Sequence, residues 1–238
     1  MFRLNKFFVI LVCIFCSLIN VNAQTGPVVI KSPDGQIEIE IATLHDIALS
    51  AEGGQLAYQV SFQGKQVLEW SHLGLIIESS PVLGSNVRIQ SSEMSVMDET
   101  WTSVQGKANP IRNHYNAVTV QTLETDSNGR RLIIEARAYD DGVAFRYFIP
   151  EQPFVKELKI LNEITQFRFS KDANTFPMIS RGFQTSNEDD YHELTINGMH
   201  PEYLVNLPLL INLPGIAWVG LTEADLEVIP FKVQSIFG

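Results

Sequence analysis

An acidic segment holds the densest group of residues able to do chemistry. Residues 187–193 read Asn-Glu-Asp-Asp-Tyr-His-Glu and lie in a stretch poor in aliphatic side chains. Ca²⁺ takes about 6 to 8 oxygen ligands from carboxylates, carbonyls and water, and one such loop could supply some of them. Glycoside hydrolysis needs two carboxyl groups on opposite sides of a sugar, ~5 to 9.5 Å apart. Close neighbours such as Glu188, Asp189, Asp190 and Glu193 do not straddle a substrate, so the segment favours a metal ligand or a solvated loop over a catalytic pair.

Other catalytic motifs are missing from the sequence. The five histidines show no His-x-x-x-His spacing, and His192 beside the acids is either a ligand-orienting residue or an ordinary surface histidine. The sequence has no Gly-x-Ser-x-Gly elbow, no phosphate-binding loop and no Asn-x-Ser/Thr sequon. Serine hydrolases and nucleotide-dependent enzymes are therefore excluded.

Three tryptophans, Trp70, Trp101 and Trp218, are candidates for stacking on the apolar face of a sugar. Burial in the core is the usual role of such residues in a β-sandwich, and we expect it here. Trp101 is the exception, because it lies where the strand-like alternation lapses.

The first residues have the organisation of a secretory signal peptide. Arg3 and Lys6 precede an apolar run at 7–19, and Val-Asn-Ala ends at Ala23. The run is shorter than the ~20 residues of a membrane-spanning helix, and no later stretch reaches that length. We expect cleavage after residue 23 and an exported, periplasmic or secreted protein without a membrane span.

Composition limits the partners of the exported chain. Cys13 and Cys16 both lie in the signal, so no disulfide is expected. Without Arg3 and Lys6 the chain keeps 15 basic against 27 acidic residues, a net charge of −12. Nucleic acid is an unsuitable partner for such a chain, because phosphate binding needs a basic surface.

Residues 24–227 have the pattern of one all-β domain. Short apolar segments alternate with polar residues and are separated by Gly, Pro, Asn and Asp turns, and no run keeps a helical period. We expect strands at 28–32, 36–43, 116–125, 163–169, 175–180, 207–213 and 216–221, with an irregular excursion at 101–115.

A hairpin at 136–150 is the strongest local signal, because Asp-Gly separates two runs rich in aromatic and β-branched residues. With Asp141-Gly142 as the loop, the core face carries Leu132, Ile134, Ala136, Ala138, Phe145, Tyr147 and Ile149. The same register places Arg137 opposite Arg146, which is unfavourable unless acids intervene. We expect this hairpin to brace the sandwich.

Four motifs in one order resemble the N-terminal domain of glycoside hydrolase family 97. They are Trp101 with Val-Gln-Gly-Lys at 104–107, Ile-Arg-Asn-His-Tyr-Asn at 111–116, the hairpin sequence at 137–147, and Thr-Glu-Ala-Asp-Leu at 222–226. The resemblance runs over about residues 28–226, and the hairpin is its most specific part.

The resemblance implies a fold and a function. Members are exported α-glucosidases and α-galactosidases with an N-terminal antiparallel β-super-sandwich of the galactose-mutarotase-like type, a catalytic (β/α)₈ barrel and a C-terminal β domain. An active-site calcium is held mainly by glutamates, one of them from the N-terminal domain. The resemblance places Glu188 at that metal-ligand position.

This chain departs from the family pattern after residue 227, where a divergent tail at 228–238 replaces the barrel. We expect truncation there, and therefore no catalysis by the chain alone. In a complete enzyme its partners would be the missing barrel and an α-linked oligosaccharide. The alternatives are a stand-alone carbohydrate-binding module and a scaffold without ligand. An exposed barrel-facing surface also predicts self-association.

Overall fold

The computed structural model describes residues 26–45, 53–104, 106, 109–126, 129–152, 158–182, 184, 186 and 188–224. The predicted signal peptide and the tail at 228–238 lie outside these ranges. The described chain is almost entirely antiparallel β-structure, which confirms the all-β sandwich. Within these ranges no helix reaches the length and apolarity that a membrane crossing requires.

The first sheet is a four-stranded meander in the order β1-β2-β3-β4. Its strands are β1 (Val28–Lys31), β2 (Ile37–Leu44), β3 (Gln55–Phe62) and β4 (Lys65–His72). In β2 the isoleucines at 37, 39 and 41 are buried while the glutamates between them are half-buried. The period-two pattern therefore sets which face of the sheet enters the core.

A second four-stranded sheet has the order β6-β7-β8-β9. Its strands are β6 (Val87–Trp101), β7 (Ile111–Glu124), β8 (Arg131–Tyr139) and β9 (Gly142–Phe148). A short pair, β5 (Leu75–Ile77) with β10 (Ile160–Glu163), forms a separate two-stranded sheet. The meander predicted from residue 116 onward is confirmed.

The third large sheet follows the order β12-β11-β13-β14. Its strands are β11 (Asn174–Ser180), β12 (Leu194–Thr195), β13 (Leu204–Leu213) and β14 (Ala217–Leu221), and a 3₁₀ turn, Ile196–Gly198, follows β12. The predicted final pair of strands is confirmed as β13 and β14.

One hydrophobic core joins the three large sheets. Each contributes fully buried side chains, among them Ile39, Tyr58, Ile134 and Ile211. The Tyr58 and Phe145 rings meet at 4.9 Å between centroids, which links the first sheet to the second. This common core positions every exposed surface described below.

The central hairpin has the predicted core face but a different register. Leu132, Ile134, Ala136 and Ala138 are buried, as expected. The loop is Asp140-Asp141 instead of Asp141-Gly142, because Tyr139 pairs with Gly142. A shift of two residues keeps each side chain on its face and replaces the like-charged pair by Glu135 opposite Arg146. The predicted opposition of Arg137 and Arg146 was wrong.

Two strand boundaries also differ from the prediction. The expected strand at 163–169 is wrong, because β10 ends at Glu163. Beyond it the chain makes separate hydrogen bonds, such as Ile164 N to Gly74 O at 3.0 Å, and one isolated bridge, Phe169 to Leu68. The excursion at 101–115 is shorter than expected, since Trp101 ends β6 and pairs with Ile111 in β7. Residues 93–101 are exposed throughout, so this part of β6 has no buried face that would require apolar and polar residues to alternate.

Candidate functional site

The acidic segment forms an edge of the third sheet. Tyr191 makes an isolated bridge to Met178, and the His192 amide donates to the Pro177 carbonyl at 3.0 Å. The chain then enters β12, whose Leu194 and Thr195 pair with β11. Backbone bonds to β11 thus position residues 191–195, and Glu188 lies just before the anchored part.

The carboxylates of this segment are exposed. Asp189 Oδ1 accepts a hydrogen bond from the Asp190 amide at 2.9 Å, and Glu193 Oε1 accepts one from Asn174 Nδ2 at 3.2 Å. One carboxylate oxygen of Asp189 and one of Glu193 therefore already accept a hydrogen bond within the domain. Glu188 precedes them with an exposed side chain.

Calcium fits the donor chemistry of Glu188, because carboxylate oxygen is a hard ligand. In the described part of the chain, no group of three or more His, Cys, Asp or Glu side chains is gathered in a way that could hold a metal ion. The donor type of Glu188 thus fits a calcium ligand, and the described residues do not gather a full set of ligands around it.

The polar residues of the central hairpin make contacts within the domain, and Asp140 braces the sandwich as expected by linking the β8–β9 turn to the β1–β2 turn. Arg146 Nε lies 2.6 Å from Glu135 Oε2, and the Asp140 carboxylate accepts from the Asp34 amide at 2.8 Å, which ties two turns together. Arg137 lies over the Tyr115 ring at 4.7 Å. The side chains of Arg137, Asp140 and Arg146 are all engaged within the domain.

Sequence reasoning missed a polar network between β9 and β10. The Tyr147 hydroxyl lies 2.7 Å from Thr165 Oγ1 and accepts from the Gly74 amide at 3.2 Å, while Thr165 donates to Glu163. Burial raises the pKa of the Glu163 carboxyl, the Thr165 hydrogen bond opposes that rise, and the Glu223 charge adds to it. Tyr147 was predicted as core, and its hydroxyl was the available signal for a polar partner.

The tryptophans are less buried than predicted. Trp218 is 58% exposed and Trp101 is 46% exposed, while Trp70 is half-buried. Core burial was therefore wrong for Trp218, because β14 turns its even-numbered residues away from the core. Trp101 was the one tryptophan not expected in the core, and its exposure agrees with that expectation.

Comparison with known proteins identifies the family. The family model described as "Glycosyl-hydrolase 97 N-terminal" matches residues 30–231. The chain is 27% identical over 236 residues to the retaining alpha-galactosidase of Bacteroides thetaiotaomicron, covering 95% of this chain and 33% of that protein. It is also 27% identical over 157 residues to a probable retaining alpha-galactosidase of Streptomyces bingchenggensis, covering 64% and 21%.

Solved structures share the fold. A Glycoside Hydrolase Family 97 enzyme of Pseudoalteromonas sp. in complex with acarbose matches with a TM-score of 0.67 at 24% identity, over 77% of this chain and 26% of that one. A beta-arabinopyranosidase matches with a TM-score of 0.70 at 23% identity, over 84% and 32%. The chain spans a third or less of the curated relatives it matches. It belongs to the glycoside hydrolase family 97 N-terminal domain family.

Proposed function

We propose that this chain is the non-catalytic N-terminal domain of an exported family 97 α-glycosidase. In the complete enzyme it walls one side of the active site and supplies one calcium ligand, Glu188. The observation that carries the proposal is the family match over residues 30–231, combined with an exposed Glu188 on an edge anchored to β11.

The role as a wall is supported by surfaces that this domain leaves uncovered. The outer half of β6, here called the exposed ribbon, is an edge of the second sheet. It exposes Met94 and Val96 on one face and Met97 and Trp101 on the other. Exposed apolar residues of this kind are typical of interaction surfaces. The matched region covers 33% of the Bacteroides relative, so the rest of such a protein is available to cover this surface.

The calcium role is supported by the exposure of Glu188 and by its donor type. A bound calcium ion would supply fixed positive charge beside the sugar. Glu188 would hold the ion, and the backbone bonds of Tyr191 and His192 to β11 would keep the segment in place.

The substrate class is an α-linked oligosaccharide, and the location is the periplasm or the medium. The names of the curated relatives support an α-glycoside substrate, and the leader at 1–23 supports export. A scaffold without ligand is the structural alternative. A stand-alone carbohydrate-binding module is favoured over that scaffold by the exposure of Trp218.

Hydrolysis assays test the non-catalytic role. The isolated chain, with and without millimolar calcium, should release no nitrophenol from p-nitrophenyl α-galactoside or α-glucoside. Turnover that is retained through purification and lost on mutation of Glu188 or Asp190 would contradict the proposal. Light scattering on the same sample should show self-association through the exposed ribbon, whereas a monomer would contradict that interface.

A further inference from the structure

We propose that the outer face of the third sheet is a second saccharide-binding surface, in which Trp218 stacks on a pyranose ring of an α-linked glycan. This aromatic platform consists of Phe176, Leu210, Trp218 and Gly220 with Asn174 and Asn212. It goes beyond the proposed calcium role, because it requires neither Glu188 nor a catalytic domain.

The strand register brings the platform residues onto one face. One row across the sheet carries Thr195, Asn174, Asn212 and Trp218 as successive partners. The next row carries Phe176, Leu210 and Gly220. Alternate residues such as Thr175 and Ile211 are fully buried beneath. The platform is therefore the solvent side of a sheet whose other side is core.

The two aromatic rings of the platform are stacked. Phe176 comes from β11 and Trp218 from β14, and their rings meet across β13 at 5.9 Å between centroids with planes 25° apart. Trp218 nevertheless remains 58% exposed. An exposed indole held nearly parallel to a second ring presents the kind of apolar plane that the C–H face of a pyranose covers.

Neutral polar groups lie beside the aromatic plane. Asn212 is directly opposite Trp218, and Asn174 is one strand further, at the ~4.8 Å spacing of a sheet. Amides donate and accept, and so match sugar hydroxyls in either orientation. Glu193, already bonded to Asn174 at 3.2 Å, adds an acceptor at the far end of the row.

Space for a ligand is open next to Trp218. Gly220 follows two residues later on the same face, and a Cβ built there would meet nothing within 4 Å. Gly220 therefore leaves the floor beside the indole flat, and a side chain introduced there would obstruct a ligand without a clash inside the protein.

The hairpin that carries Trp218 is held in place before any ligand binds. Lys65 Nζ donates to the Gly215 carbonyl at 2.8 Å, and Lys171 Nζ donates to the Pro214 carbonyl. The Ile216 amide donates to Leu213 O at 3.0 Å within the turn. A fixed turn lowers the conformational entropy that binding would cost.

The composition of the platform favours a sugar over a protein partner. Its two rows contain no charged side chain, and amides and a hydroxyl accompany the rings. Protein interfaces instead concentrate aromatic and aliphatic anchors at a fully buried centre with a polar rim. Two neighbouring rows of residues that combine amide groups with aromatic rings are suited to binding a single glycan chain.

Affinity electrophoresis tests the proposal on the whole chain, in native gels containing pullulan for α-glucosyl units or galactomannan for α-galactosyl branches. The wild type should be retarded by at least one polysaccharide. Trp218→Ala and Gly220→Gln should each weaken the retardation at least tenfold, while circular dichroism stays unchanged. Phe148→Ala is the matched control, since it removes another exposed aromatic side chain, 49% exposed on β9 and outside the platform.

Three outcomes would overturn the proposal. They are an unretarded wild type in both gels, a Trp218→Ala variant retarded like the wild type, and an effect of Trp218→Ala on self-association alone, which would make the platform a contact between copies. Glu188→Gln should leave retardation unchanged. The calcium role and the sugar platform can thus fail independently.

Discussion

Arg146 lies directly opposite Glu135 across the β8–β9 hairpin, with Nε 2.6 Å from Oε2. Both side chains are substantially exposed, at 61% and 35%. Arg130 and Glu124 form a pair of equal length, yet they are only 6% and 3% exposed. Both pairs join an arginine to a glutamate, but only one pair is buried. Breaking the buried pair should therefore lower the free energy of unfolding much more than breaking the exposed one.

Glu124→Ala should destabilise the domain by about 3 to 5 kcal/mol, because it leaves the Arg130 guanidinium buried without its carboxylate. The Pro81 carbonyl, 2.9 Å from Arg130 Nη2, would remain as one acceptor. Glu135→Ala should cost less than about 1 kcal/mol. Urea unfolding of both variants measures the contrast, and equal losses would contradict it.

Truncation of two neighbouring residues of β13 should lower the free energy of unfolding by very different amounts. Ile211 is fully buried and Leu210 is 42% exposed. Ile211→Ala should cost about 2 to 5 kcal/mol through lost burial and a cavity. Leu210→Ala should cost about 0.5 kcal/mol or less. Thermal unfolding of the two variants tests the face assignment, and a larger loss for Leu210→Ala would mean that the platform is covered.

Glycine replacements should separate a close backbone contact from an open surface. A Cβ at Gly54 would lie 2.5 Å from the Leu44 carbonyl oxygen, whereas one at Gly220 would meet nothing within 4 Å. Gly54→Ala should therefore destabilise by more than about 1 kcal/mol, because backbone atoms must move. Gly220→Ala should leave the melting temperature nearly unchanged. Similar melting temperatures for both variants would argue against the close packing of β2 and β3.

Stability should depend on pH through Glu163. Burial raises the pKa of its carboxyl in the folded state above the ordinary 4.5. At pH values between the ordinary pKa of the unfolded chain and the raised pKa of the folded state, the folded protein binds more protons than the unfolded chain. The contribution of Glu163 to stability therefore decreases as pH rises above about 4.5. Glu163→Gln removes this contribution while keeping a partner for Thr165.

Urea midpoints from about pH 4 to 8 measure the effect as the difference between wild type and Glu163→Gln. The variant should gain stability relative to wild type as pH rises, with a slope of at most ~1.4 kcal/mol per pH unit. A difference that stays constant with pH would show that the Glu163 carboxyl titrates like that of the unfolded chain.

The fold could be predicted from the sequence wherever one face of a strand is buried. In β2 and β8, alternation indicated both the strand and its core side, and the structure confirms them. Where both faces are exposed, as in residues 93–101, no pattern exists to detect. The hairpin register depended on a single turn position, and a shift of two residues preserves the hydrophobic pattern that was used to assign it.

The candidate site was less predictable. The motif resemblance placed Glu188, and its role as a calcium ligand remains a prediction. Trp218 was assigned to the core because residue type alone does not reveal which face of β14 it occupies. The bond between Asn174 and Glu193 joins residues 19 positions apart, so only the pairing of β11 with β12 brings them together.

The most direct test joins this chain to the remaining two thirds of the Bacteroides thetaiotaomicron retaining alpha-galactosidase and measures the calcium dependence of its hydrolysis. Glu188→Gln should raise the calcium concentration needed for half-maximal activity at least tenfold. Glu202→Gln, which alters another exposed glutamate, should leave it unchanged. An active fusion that needs the same calcium concentration with and without the Glu188→Gln substitution would contradict the assignment of Glu188 as a ligand.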